Sequence, residues 1–211
     1  MTYAQIYAES LKLMFATLTD DIAPTAEGMG KLLTDPNYRD YLIMMPGAVN
    51  RCFADLEAKK VLPWRTVKPN MDTADDVSGG YKRLLLSEMI PDCYEVERVI
   101  CHRGYGERID LVMHEDCFLE GDELILPAGE EYVIHYTPTL PRIDDGTDLD
   151  TTVPLSRTLA EVIPYYVKGE LYRLEEPHEA AEAHNLYEER VAQVYPHAGQ
   201  RQGSVAMVYG F

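Results

Sequence analysis

The spacing of apolar residues in this chain switches from helical to alternating and back, and that double switch limits the folds open to it. In DPNYRDYLIMMPGAVNRCFADLEAKK, residues 35–60, Tyr38, Tyr41, Leu42, Met45, Val49, Cys52, Phe53 and Leu56 recur at i, i+3, i+4 and i+7. That is one apolar stripe along a helix. Further on the period shortens. EVERVICHRG, RIDLVMHEDCF, DELILPAG and EEYVIHYTP are short β-branched runs separated by Gly, Pro or Asp, which predicts a small antiparallel sandwich or barrel over residues 81–140. The helical period then returns. Leu155, Leu159, Val162, Ile163, Tyr166 and Val167 line a helix to about Leu174, and Ala180, Ala183, Tyr187, Val191 and Val194 line another. A short turn joins these two, predicting an antiparallel hairpin. No single stripe can be buried alone, so the expected class is α+β: a helical bundle with an inserted small antiparallel β sandwich or barrel.

Local signals refine the boundaries. Residues 3–15 read as a short helix and DDIAPTAEGMGKLL as a loop. Asp35 is a good N-cap with Pro36 at N1, and Lys59 and Lys60 complement the C-terminal dipole. Residues 64–80 read as extended and then turn-like, and SEMIPDCY as a turn of helix before the first long strand. After TPTLPRIDDGTDLDTTVP the cap of the next helix falls at Thr152 or Val153, with Pro154 near N1. Two prolines stand inside helical patterns, Pro46 and Pro164. A mid-helix proline costs about 3 kcal/mol. Pro164 would free the Ala160 carbonyl and shape the helix, with Tyr165 and Tyr166 on different faces. In SVAMVYGF, Val205, Met207, Tyr209 and Phe211 alternate, a pattern suited to docking as a strand or in a groove. The expected organisation is therefore N-terminal helices over 1–63, a β module with its loops over 64–150, a helical hairpin over 151–195 and an extended docking tail over 196–211.

Composition removes several classes. With 36 acidic residues against 19 basic ones, the formal net charge of −17 repels phosphate instead of gripping it. No run of about 18 apolar residues spans a membrane. MTYAQIYAESLKLMF has neither the basic start nor the cleavage site of a signal peptide. Four cysteines in 211 residues fit reduced thiols better than a disulfide scaffold. The 15 tyrosines against 4 phenylalanines favour surfaces that become interfaces, though ordinary core and surface roles account for them equally well.

Reactive constellations are weak. Cys101, His102, His114, Cys117 and His135 are the one Cys/His group with any ligand-like spacing. Cys101 and His102 are adjacent on a strand and face opposite sides, and no C-x₂-C knuckle is present, so buried thiols and edge histidines are the simpler reading. DDGTDLD, residues 144–150, lacks EF-hand spacing and reads as an exposed acidic loop. His178 and His184 sit in a Glu-rich helix and read as surface residues. No nucleophile elbow, phosphate loop, zincin motif or carboxylate pair is present, so no catalytic residue, metal ligand or cofactor site is assigned.

Three segments resemble a known family. MMPGAVNRCFADLEAKKVLPW, IPDCYEVERV and LAEVIPYYVKGELYRLEEPHEAAEAHNLYEERV, in that order, resemble the neck adaptors of tailed bacteriophages, the head-to-tail connector proteins. The resemblance covers most of the chain and lies in segment pattern and order, with no invariant motif. It implies a virion structural protein, assembled in the host cytoplasm, that forms a closed ring of about twelve copies on the portal. The implied partners are the portal protein, a downstream tail or neck protein and other copies of the chain, with DNA passing through without specific binding. Leu155 to Leu174 and Ala180 to Val194 would form the ring hairpin, Pro164, Tyr165, Tyr166 and Tyr187 would lie at the interface, and Val205, Met207, Tyr209 and Phe211 would form the docking strand. Two other readings stay open at this point: a β module that binds a partner or carbohydrate, and a metal-dependent enzyme using the Cys and His residues.

Overall fold

The computed structural model describes residues 1–15, 23–103, 106–144 and 146–194. The alternating residues Val205, Met207, Tyr209 and Phe211 lie outside them. The protein is α+β, and its chain divides into two compact units: Met1–Val61 together with Pro141 onward, and Leu62–Leu140. No helix among the described residues is long and apolar enough to cross a membrane.

In the first unit, α1 (Tyr3–Met14) begins with a capping box: the Thr2 side chain accepts from the Gln5 N–H, and the Gln5 side chain accepts from the Thr2 N–H. α1 buries Tyr3, Ile6, Tyr7, Leu11 and Met14. The stretch DDIAPTAEGMGKLL, expected to be a loop, contains α2 (Ala26–Leu32). Its first N–H groups are satisfied by the Thr25 hydroxyl and, from 124 residues away, by Asp150. α3 (Arg39–Ala58) starts later than its sequence cap. The Asp35 carboxylate is used in a turn, accepting from the Asn37 N–H at 2.9 Å, and residues 36–38 are turn instead of helix. The predicted stripe of α3 is otherwise found, with Leu42, Met45, Val49, Cys52, Phe53 and Leu56 all buried.

Residues 141–150, expected in the β module, join the helical unit. Asn50 holds Ile143 with two backbone bonds of 2.8 Å. The N–H groups of Tyr3 and Ala4, orphaned at the start of α1, donate to the carbonyls of Thr151 and Leu149. The next cap is Ser156, not Thr152 or Val153, and it opens the short α5 (Arg157–Ala160). The chain turns at Glu161 and Val162 before α6 (Ile163–Tyr172), so Pro164 sits in the first turn of a helix. There its missing N–H leaves no intrahelical bond unmade and its fixed φ suits the start. The mid-helix kink expected at Pro164 is absent. Pro46, by contrast, does lie inside α3.

α7 (Pro177–Val194) returns antiparallel to α6. Gly169 permits the close approach: a Cβ there would stand 3.2 Å from the Ala180 carbonyl oxygen. α6 is the shared neighbour of α1, α3 and α7.

The second unit holds two four-stranded antiparallel sheets. One is formed by β1 (Arg65–Val67), β8 (Glu131–Pro138), β4 (Cys93–Arg103) and β5 (Glu107–Leu111), in that spatial order. The other runs β2 (Asp75–Val77), β3 (Tyr81–Leu85), β7 (Glu123–Pro127), β6 (Phe118–Glu120). The turn of helix expected in SEMIPDCY is α4 (Leu86–Met89). Gly79 and Gly80, both at positive φ, close the β2–β3 hairpin. Leu84, Leu124 and Leu126 of one sheet and Val96, Val99, Ile134 and Tyr136 of the other share one apolar cluster. Alternation along β7 and β8 sends these side chains inward, as the period of two requires.

Candidate interface on the helical unit

α1 offers Gln5, Glu9 and Leu13, spaced by four, along one wall of a cleft of about 730 Å³. The opposite wall holds Pro164 and Tyr165 at the start of α6, with Arg190 of α7. The Arg190 guanidinium lies 4.3 Å from the centre of the Tyr165 ring, a cation–π contact. Arg157 pairs with Glu161 at 2.8 Å and Glu9 with Lys12 at 3.0 Å. Among the described residues Arg190 has no carboxylate partner. The cleft thus combines Leu13, Pro164 and Tyr165 with charged side chains of both signs, Glu9, Glu161, Arg157 and Arg190, the last held against the Tyr165 ring.

The proposed interface residues separate under this geometry. Pro164 and Tyr165 line the cleft. Tyr166 faces α7 as well, its ring 5.0 Å from that of Tyr187 and 6.0 Å from that of His184. Both adjacent tyrosines therefore touch α7, Tyr165 through Arg190 and Tyr166 through Tyr187 and His184. Tyr187 is fully buried and is core, not surface.

A polar network surrounds Tyr187. Its hydroxyl donates to Asp55 Oδ2 at 2.6 Å, and Lys59 reaches both Asp55 and, at 2.8 Å, Glu188. Burial would lower the Lys59 pKa, but the hydrogen bonds to Asp55 and Glu188 outweigh it and raise it. Burial also raises Tyr187, and it raises Tyr166 to about 12. Both phenols stay protonated at neutral pH, and the Tyr187 hydroxyl is the donor that ties α7 to α3. The Glu57 carboxylate, 1% exposed, is met by Arg142 at 2.5 Å. This network is structural in shape, linking residues more than 80 positions apart.

The Cys and His residues of the β unit are dispersed. Cys101 pairs across β4 with Ile109 and Tyr132, next to the half-buried His102. His135 on β8 meets the Trp64 ring edge-on at 6.1 Å, and His114 occupies a left-handed turn at φ 69°. Burial pushes the Cys93 and Cys117 thiols up to about 11, away from the thiolate form that binds metals or attacks carbonyls. Among the described residues no three His, Cys, Asp or Glu side chains converge on one point. In the acidic loop, Asp144 accepts from Gly146 and Thr147, Asp148 from Asp150, and Asp150 from Ala26, so these carboxylates cap turns and α2.

A second feature escaped the sequence reading. Leu33, Ile43 and Met44 are 42%, 59% and 46% exposed. The signal was available in DYLIMMPG, where apolar residues occupy more of the helix circumference than one buried stripe needs. No family model matches this sequence, and no curated protein matches it.

Proposed function

We propose that the protein is a virion structural component, a neck adaptor that forms a ring between the portal and the tail of a tailed bacteriophage. The observation that carries this reading is the helical unit itself. It is built from both ends of the chain around α6, with the β unit inserted between them. The segments that resemble neck adaptors supply α3, the α4–β4 crossing and the α5–α7 run. In this reading the helices around α6 are the adaptor's bundle and residues 196–211 its docking tail. Copies meet side by side, and repetition of one heterologous contact closes the ring. The net charge of −17 supports passage of DNA through such a ring, because carboxylates facing a channel repel phosphates and let the genome slide. No chemistry is assigned to the protein.

The mass of the full chain, alone and mixed with a portal ring, tests the proposal. Binding of multiple copies to the portal supports it; absence of any portal binding removes it. Neutralising several channel-facing carboxylates should slow genome ejection, and unchanged ejection would withdraw the channel role.

A second reading has one observation in its favour. Trp64 and Tyr94 of the β unit are exposed aromatics, the side chains with which a carbohydrate- or partner-binding module makes contact. Loss of binding to an immobilised tail component on Trp64→Ala or Tyr94→Ala, with portal binding intact, would favour that reading.

A further inference from the structure

We propose that the outer face of α3 on one copy seats in the α1/α6/α7 cleft of the next copy. The proposal rests on the ring reading above and names the contact that would close it.

The two surfaces match in chemistry. Asp40, Ile43, Met44 and Gly47 follow one another at i, i+3, i+4 and i+7, so they share a face of α3, and all four are exposed. Asp40 has no cation partner among the described residues, just as Arg190 has no carboxylate partner. The apolar pair Ile43 and Met44 fits against the half-buried Leu13 and Tyr165, and Gly47 carries no side chain, with the Arg51 guanidinium 3.8 Å from where a Cβ would stand. Asp40 then meets Arg190, whose guanidinium is already oriented by the Tyr165 ring.

The two surfaces cannot meet within one copy. Arg51 of α3 pairs with Glu170 of α6 at 2.7 Å, which fixes the side of α6 on which α3 lies. Tyr165 faces the cleft, and at about 100° per residue it stands about 140° around the helix from Glu170. The α3 face and the cleft therefore belong to separate sides of the same unit. A patch that fits a different patch on an identical molecule makes a heterologous contact, which builds a ring when its rotation closes. Three side chains in a cleft fall well short of the roughly 1,200 Å² of a stable interface, so a single pair is weak and the contact persists by repetition or on a template.

Two full-length variants test this contact, Ile43→Cys and Glu9→Cys, one carrying a tag so that mixed products can be told apart. Under mild oxidation the mixture should give a covalent dimer of the two different chains, while each variant alone gives no more than the wild type. Adding Arg190→Glu to the Glu9→Cys chain should lower the yield at least tenfold, and adding Asp40→Arg to the Ile43→Cys chain should restore it. A mixed dimer at wild-type level, or one indifferent to the charge reversal, overturns the proposal. Preferential capture of Glu9→Cys by Val205→Cys in the same chain also overturns it, because the cleft then belongs to the C-terminal segment. A portal-bound ring without the mixed dimer discards this contact and leaves the adaptor reading; absence of both discards both.

Discussion

The β unit is one continuous stretch, whereas the helical unit is assembled from the two ends of the chain, and the two are held together by different forces. In the β unit, ladders and a shared apolar cluster are accompanied by mostly exposed polar pairs such as Arg83–Asp75 and Arg98–Asp110. Among its described residues the one fully buried polar side chain, that of Thr137, is bonded to Glu97. In the helical unit, polar contacts join segments far apart in sequence. Tyr172 donates to the Met14 carbonyl, Tyr187 to Asp55, Arg142 to Glu57, and Asn50 exchanges two bonds with Ile143. Apolar stripes alone do not specify how helices from opposite chain ends align; directional bonds to buried acceptors do. The same discontinuous unit also carries the exposed Ile43 and Met44, as the β unit carries the exposed Trp64, Tyr94 and Val112.

The comparison breaks most visibly in the cores. Phe53→Ala should cost about 3–5 kcal/mol and Leu124→Ala about 2–5 kcal/mol, both sites being fully buried. Hydrogen exchange should show each loss confined to its own unit; equal loss of protection in both units for either variant would deny that the cores are separate. Next comes the contrast between polar links. Arg142→Ala strips the guanidinium from a buried carboxylate and should cost about 1–3 kcal/mol, tempered by the partly exposed arginine. Arg98→Ala removes a surface pair with Asp110 in the β unit and should cost under about 1 kcal/mol. Denaturant midpoints rank the two, and the reverse order would refute the distinction.

Alkaline pH weakens both units. The Cys93 and Cys117 thiols ionise from about pH 9 when unfolded, but the fold holds them protonated to about 11. Their contribution to the β unit is full below pH 9 and lost as pH rises across that window. The helical unit loses stability over the same window, because burial also raises the Cys52 thiol from 9.0, and Tyr41, hydrogen-bonded to Glu175, and the buried Tyr166, both raised from 10.0 to about 12, add to the loss above pH 10. Unchanged stability of both units between pH 9 and pH 11 would contradict the assignment.

A further contrast compares two prolines. Pro46→Ala restores an N–H within reach of the Leu42 carbonyl inside α3 and should stabilise by about 1–3 kcal/mol. Pro164→Ala has no such bond to gain at the first turn of α6 and should destabilise by about 0.4–1 kcal/mol through the unfolded chain. Equal shifts in thermal midpoint would mean that position within the helix is irrelevant.

These two prolines also mark what could be read from the sequence. The stripe of α3 and the alternating runs of β4, β5, β7 and β8 were legible because each period is local. Pro164 was misread because Leu159, Val162 and Ile163 remain buried through the turn at 161–162, so the apolar pattern does not register the break. α2 was hidden because one of its caps, Asp150, comes from the far side of the inserted unit. Pro164 and Tyr165 stood out as unusual and do line the cleft, but Arg190 did not. In a helix rich in Glu, an arginine reads as solvated until the fold stacks it on a tyrosine 25 positions earlier.

Hydrogen exchange across α1 and α3, in the free chain and on the portal, tests the central claim most directly. The account predicts that assembly protects Gln5 to Leu13 and Asp40 to Gly47 together, the two uncovered faces of the helical unit. Protection confined to the β unit, with both faces exchanging as in the free chain, would contradict it.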